Sequence, residues 1–252
     1  MRSVLALALA ILACRPRGER AAAQGADTLG VMDTTDRHAT MAAEHQMAGG
    51  GPMAEDPHMK LTVLRPGTAA DSARGAALVA QMRATLARYR NVAAARADGF
   101  RQFLPGVEQP IYHFTSRFNA LREMFRFDPA KPTSLLYRKR PDGSFELVGA
   151  MYADRAGASE GDLNDRIPLA LARWHEHVNW CVPPLRERER WTETKDGRPV
   201  FGPKSPIATA EACAAAGGRF LPRIFGWMVH VTLFAGDDPR VIWSGMEHQH
   251  ER

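Results

Sequence analysis

Residues 223–234, RIFGWMVHVTLF, form the strongest strand pattern in the chain and constrain its fold more than any other segment. Alternate residues of a strand face opposite sides. Both sides of this segment are largely apolar, so it is predicted to lie in the centre of a sheet. His230, in the middle of the segment, is then buried, and its two ring nitrogens need partners.

Several other segments carry weaker signals. Two apolar runs flank Pro141-Asp142-Gly143 within residues 134–154, which predicts a hairpin. Residues 111–115 and 241–243 are further strand candidates. Helices are predicted over residues 69–99 (one helix, or two with a break near Asn91), 117–125, 166–181 and 209–216. The sequence thus predicts an α+β fold, an antiparallel sheet of about four or five strands with helices packed on one face, in a single domain over residues 67–252.

The N-terminus predicts export. An apolar run from Val4 to Ala13 follows one basic residue. It is too short to span a bilayer, which takes about 20 residues, but it suits the apolar core of a secretory signal. The segment Ile11-Leu12-Ala13-Cys14 resembles the lipobox of bacterial lipoproteins, in which the cysteine is acylated. We predict a signal or lipoprotein segment over residues 1–23 and a periplasmic or outer-membrane lipoprotein anchored at Cys14; signal cleavage near residues 21–23, giving a soluble protein, is the alternative.

Residues 24–66 contain no Phe, Tyr or Trp and show no apolar periodicity, which predicts a disordered tether. The tether is rich in thioether and imidazole groups, the donors that copper ions prefer. A polar linker in which Met happens to be frequent is the alternative. The candidate ligands in the tether are His38, Met41, His45, Met47, Met53, His58 and Met59.

Export also decides how the cysteines are interpreted. With Cys14 used or removed, Cys181 and Cys213 remain as an even pair in an oxidising compartment, which predicts a disulfide. A thiolate metal ligand is the alternative.

Residues 174–181, WHEHVNWC, raise the question of a metal site. The apolar spacing over residues 166–181 predicts a helix, in which His175 and His177 lie about 200° apart and cannot bind one ion. If the helix instead ends before Trp174 and the chain extends, both histidines face one side. The zinc-protease pattern H-E-x-x-H is absent, because its last position is Asn179.

Histidines from separate segments are candidates for one site. His113 and His230 both lie in apolar strand segments, and one of His175 and His177 is expected to join them. Three imidazoles with an open fourth position are a common metal centre. The alternative is that each is a core histidine bonded to main-chain carbonyls. The predicted metal ligands are His113, His175, His177 and His230.

Residues 112–243 resemble a set of exported bacterial proteins without an assigned function. The resemblance is carried by Tyr112-His113-Phe114, Phe127-Asp128-Pro129, Leu135-Leu136-Tyr137, Leu147-Val148-Gly149, the W-H-x-H-x-N-x-C segment at 174–181, and Phe225-Gly226-Trp227-Met228-Val229-His230. It implies export and supplies no activity.

Several function classes lack sequence support. The formal charge of +5 is spread among acidic residues, without the basic stripe that nucleic-acid binding needs. No phosphate-binding glycine motif occurs, and the catalytic residues, if any, are unknown. A metal-activated water with Glu176 or Glu146 as base would make the protein an enzyme. A disulfide-stapled binding or structural module without metal is the other alternative. The sequence best predicts an exported, lipid-anchored metal-binding protein, with copper ahead of zinc and the membrane and the ion as its partners.

Overall fold

The computed structural model describes residues 56–103, 105 and 108–245. This part of the chain contains nine strands and six α-helices. The strands are β1 (Met59–Leu61), β2 (Arg101–Gln102), β3 (Tyr112–Thr115), β4 (Ser134–Lys139), β5 (Phe145–Asp154), β6 (His175–Val182), β7 (Thr194–Lys195), β8 (Arg198–Pro199) and β9 (Arg219–Thr232). The helices are α1 (Ala69–Leu86), α2 (Val92–Ala97), α3 (Arg117–Glu123), α4 (Glu160–Arg166), α5 (Ala210–Ala215) and α6 (Pro239–Trp243). No helix in the described part combines the length and apolar character that crossing a membrane requires.

Seven strands form one antiparallel sheet in the order β1-β6-β9-β5-β4-β3-β2, and β7 and β8 form a separate hairpin. The α+β class and the antiparallel sheet are confirmed. β9 is central, as predicted, and pairs with β5 on one side and β6 on the other. The sheet is larger than the four or five strands expected, partly because β1 and β2 are too short to show a strand period.

Two predicted elements are wrong. Residues 241–243, expected as a strand, belong to α6, which is capped by Asp238 and has a proline in its first turn. The helix predicted over residues 166–181 does not form. α4 ends at Arg166, Ile167 is extended, and Pro168 follows. A residue before proline disfavours the helical conformation. The chain then turns and enters β6 at His175, the extended alternative that places both histidines on a strand.

The described fold includes residues that precede the predicted domain start at residue 67. β1 pairs with β6 at the edge of the sheet, and Thr62 N–H donates to the Trp174 carbonyl. We predicted a disordered tether over residues 24–66. This prediction is wrong at its C-terminal end, because residues 58–66 are part of the fold. His58 and Met59 belong to the fold, whereas residues 24–55 lie outside the described part.

The main core fills one face of the sheet. Four helices contribute to it, with Val79, Met82 and Leu86 of α1 as the largest group from one helix. Strand residues with alternating positions, such as Tyr112 and Phe114, complete it. A smaller apolar cluster lies on the opposite face and, in the described residues, contains no helical residue: Ile111, Leu136, Val148, Met151 and Met228. In the described residues, the helices of the main core therefore pack against one face of the sheet, and the small cluster lies on the other.

The predicted disulfide joins Cys181 of β6 to Cys213 of α5, with the sulfur atoms 2.04 Å apart. The thiolate-ligand alternative is wrong, because each sulfur is bonded to the other. A crosslink over 32 residues stabilises the fold by about 3–4 kcal/mol in the chain-entropy model. Gly218 is required beside it, since a Cβ there would lie 2.5 Å from the Cys181 sulfur.

Candidate metal centre

The four predicted ligands come from three strands and meet on the face opposite the main core. On β3, Tyr112 and Phe114 point into the main core, so His113 between them faces the other way. On β9 the same argument places His230 between Val229 and Val231. The structure therefore brings together side chains more than one hundred residues apart in the sequence.

The imidazoles form a continuous group. Nε2 of His113 lies 3.4 Å from Nε2 of His230, although β4 and β5 separate their strands. The His175 ring centroid is 5.0 Å from that of His230 and 5.6 Å from that of His177. All four rings therefore lie in one cluster rather than at separate places in the fold.

A bulge sets the positions of His175 and His177. His175 pairs with Met228 and His177 with Ile224, so one residue of β6 faces three residues of β9. Within this bulge Phe225 has a left-handed backbone, with φ of 64°. Gly226 is needed next to it, because a Cβ would lie 1.9 Å from the Asp154 carbonyl oxygen. Bulges of this kind re-aim side chains and are common next to functional sites.

The 3.4 Å separation of the two Nε2 atoms suits a shared ion. A hydrogen bond between nitrogen and an acceptor is usually about 2.7–3.2 Å long. Two imidazole nitrogens bound to one ion at about 2.0–2.1 Å in tetrahedral geometry lie about 3.3–3.4 Å apart. His113 also hydrogen-bonds the main chain of Ile111, the kind of contact that orients a ligand imidazole.

The protein keeps these imidazoles neutral. Burial lowers the pKa of His113 to about 4, that of His175 to about 3 and that of His177 to about 4. Burial, with the neighbouring histidines adding to it, also lowers the pKa of His230 well below its ordinary value. Each ring therefore has a free lone pair at pH 7, which is the form that metal ions bind.

In the described residues, however, no three His, Cys, Asp or Glu side chains are already arranged to hold one ion. His113 and His230 have nitrogens at the separation of two ligands. The rings of His175 and His177 contact other rings and have no hydrogen bond within the described part of the chain. Histidine has a broad preference about its last side-chain torsion, so binding by either ring would require a turn about that torsion.

His58 is not a mobile tether ligand. It is 2% exposed, its Nδ1 lies 3.0 Å from the Asn179 carbonyl oxygen, and its Nε2 lies 2.6 Å from the Ser205 carbonyl oxygen. Both nitrogens are occupied, so the prediction of His58 as a free ligand in a disordered segment is wrong. Met59 is in β1, directly opposite His177. The other tether candidates and Cys14 lie outside the described residues.

The two candidate bases lie away from the histidines. Glu176 is buried between Lys60 (3.9 Å) and Arg223 (2.9 Å), and Lys60 stacks on Trp227 of the main-core face. Burial raises the pKa of Glu176. Glu146 forms an ion pair with Arg140 beside the turn between β4 and β5. Neither contact places a carboxylate beside the imidazoles.

Two features near the strands were not predicted from the sequence. Met151 lies on the histidine face together with Met228, which the alternation along β9 already places on the same side as His230. A buried polar cluster was also missed. In it, the carboxylate of Glu123 accepts hydrogen bonds from the Thr133 hydroxyl and from Ala153 N–H. Burial raises the pKa of Glu123 to about 8.

Comparison with known proteins places no family beside this chain: no family model matches, nor does any curated protein or solved structure. The resemblance to exported bacterial proteins therefore stays a prediction.

Proposed function

We propose that this protein binds a transition-metal ion at the face of the sheet that carries the four histidines, with copper preferred to zinc. The observation that carries the proposal is the 3.4 Å separation of Nε2 of His113 from Nε2 of His230. Two neutral imidazoles with facing nitrogens have two stable arrangements: they share a proton in a hydrogen bond, or they share a cation. The contact meets hydrogen-bond criteria, but its length is at the long end of that range and equals the separation of two nitrogens bound to one ion, which supports the cation.

His175 and His177 are the further candidate nitrogen ligands in this proposal. The His175 ring already lies beside that of His230, and the His177 ring beside that of His175. His113, His177 and His230 each keep partial solvent exposure, which leaves an entry path for an ion. The preference for copper is supported by the tether, where His38, Met41, His45, Met47 and Met53 combine imidazole and thioether groups.

We further propose that the protein is exported and attached to a membrane through a lipid on Cys14. The support is the apolar run Val4 to Ala13 followed by the lipobox-like Cys14. Fractionation of a bacterial host expressing the full chain tests this. The parent is expected in the membrane fraction, and Cys14→Ser is expected to release it or to stop its processing. Equal distribution of both proteins between the fractions would contradict the lipid anchor.

Metal analysis of the full chain, purified without chelators and then exposed to copper or zinc, tests the proposed site. The background for this test carries H38Q, M41L, H45Q, M47L and M53L, so that ions held by the tether do not contribute. We expect about one ion per chain in this background and none in His113→Ala or His230→Ala. A background protein that stays metal-free, and whose melting temperature does not change with either ion, would favour a structural module without metal.

A further inference from the structure

Three methionines lie directly across a strand pair from three of the clustered histidines. The pairs are Met59 with His177 between β1 and β6, Met228 with His175 between β6 and β9, and Met151 with His230 between β5 and β9. Directly opposite residues of an antiparallel pair point to the same face, with Cβ atoms about 4.5–5.5 Å apart. Each of these three imidazoles therefore has a thioether as its neighbour across the sheet.

Two of the three methionines are inside the protein. Met151 and Met228 are each 8% exposed and pack in the small apolar cluster on the histidine face. Their side chains therefore lie inside the protein, at positions opposite His230 and His175, rather than extended into solvent. Met59 is half-buried on the edge strand, beside His177.

The filling of irregular space in the core does not by itself explain where the methionines occur. Methionine is a common filler of irregular space in cores, and the main core has 24 buried residues, yet only Met82 among them is a methionine. The cluster on the histidine face has five buried residues, of which two are methionines. In the described residues, methionine is thus concentrated where the imidazoles are.

We propose that the histidine cluster is a mixed imidazole–thioether site for Cu(I), with His113 and His230 supplying nitrogens and Met151 and Met228 supplying sulfurs. Met59, beside His177 at the edge of the sheet, is the outermost thioether of the same site. This inference rests on the proposed function and specifies its ion. It also supplies the donors that imidazoles and carboxylates alone do not provide in the described residues.

Both ligand softness and charge select Cu(I). Thioether sulfur is a soft donor that binds Cu(I) in preference to Zn(II). The proposed ligands are all neutral, and the carboxylate of Glu176, which lies away from the histidines, is ion-paired with Arg223. Because the cost of transferring an ion from water rises with the square of its charge, a monovalent ion fits a buried neutral site better than a divalent one.

Competition for Cu(I) against a chromophoric chelator tests the inference, with Zn(II) binding measured in parallel. The protein is the full chain carrying the same five tether substitutions. We expect Met151→Leu and Met228→Leu each to weaken Cu(I) binding by at least about tenfold and Zn(II) binding by less than about twofold. Met124→Leu, which follows α3 and has no histidine partner in the sheet, is the matched control and should bind as the parent does.

The outcomes separate the inference from the proposed function. If the methionine variants bind Cu(I) as the parent does while His113→Ala and His230→Ala lose it, the thioether site is overturned and the metal site stands. If the parent binds neither ion, both are overturned. Met→Leu conserves volume. If either variant nevertheless fails to fold, X-ray absorption of the Cu(I)-loaded protein with the five tether substitutions decides. Sulfur bound to the copper supports the inference, and nitrogen alone overturns it.

Discussion

His58 and His175 are both almost completely buried histidines, at 2% and 5% exposure, but they have different partners. The two nitrogens of His58 face the carbonyl oxygens of Asn179 and Ser205. The ring of His175 is surrounded by the rings of His177 and His230. One imidazole ties three chain segments together, and the other belongs to a group of like side chains.

This difference shows why burial alone does not identify a ligand. Each ring nitrogen of His58 faces a main-chain carbonyl oxygen, so neither nitrogen is left for a metal ion. A neutral imidazole beside other neutral imidazoles keeps its lone pair. His58 therefore fits the interpretation of a structural core histidine, whereas the cluster of four fits that of a binding site.

The largest expected effect is on stabilisation by a bound ion. At free copper 1,000 times the dissociation constant, binding should stabilise the folded state by about 4 kcal/mol. This stabilisation should disappear in a His113→Ala/His230→Ala double variant and persist in His58→Leu. Thermal melts with and without copper, in the background without tether ligands, measure it. If His58→Leu also loses its stabilisation by copper, the proposed difference between His58 and the histidine cluster is wrong.

A matched pair of substitutions tests the metal-free protein. His58→Leu should lower the free energy of unfolding by about 2–3 kcal/mol, because it removes the contacts of the buried ring with the carbonyl oxygens of Asn179 and Ser205. His175→Leu should change it by less than about 1 kcal/mol, since this ring has no hydrogen bond to lose in the described part of the chain. Denaturant titrations with a chelator present provide the comparison. Equal costs would mean that His175 has a structural partner of its own.

The sequence predicted the centre of the sheet better than its edges. β9 and the hairpin of β4 and β5 carry long apolar runs, and both were recognised. The break near Asn91 was recognised too, because Asn91 caps α2. β1 was missed since three residues cannot show a period, and its pairing depends on β6, more than one hundred residues away. Edge strands of this kind are set by tertiary contacts rather than by local pattern.

The histidine cluster was predictable in its members but not in its geometry. His113 and His230 stood out as polar residues in apolar strands. The apolar spacing at residues 166–181 coincides with a helical period and predicted a helix; Pro168 and the capped helix before it overrode that period. The bulge that brings His177 beside His175 depends on Phe225 and Gly226 in a distant strand, so no local pattern could reveal it.

The smallest expected effect concerns protons in the metal-free protein. An unfolded histidine has a pKa of about 6.5, whereas burial lowers the pKa of folded His113 and His177 to about 4. As the pH falls from 6.5 to 4, the unfolded state takes up protons that the folded state does not, so stability falls through this window and is unaffected above it. Glu123, with its pKa raised to about 8, acts in the opposite direction, which makes the difference between parent and variant the informative quantity.

Between pH 6 and pH 5, His177→Leu should lose less stability than the parent, by about 1 kcal/mol at most, because partial solvent exposure of the ring reduces the effect. Denaturant titrations at the two pH values measure this difference, and identical losses would show that His177 is protonated as readily in the folded protein as in the unfolded chain.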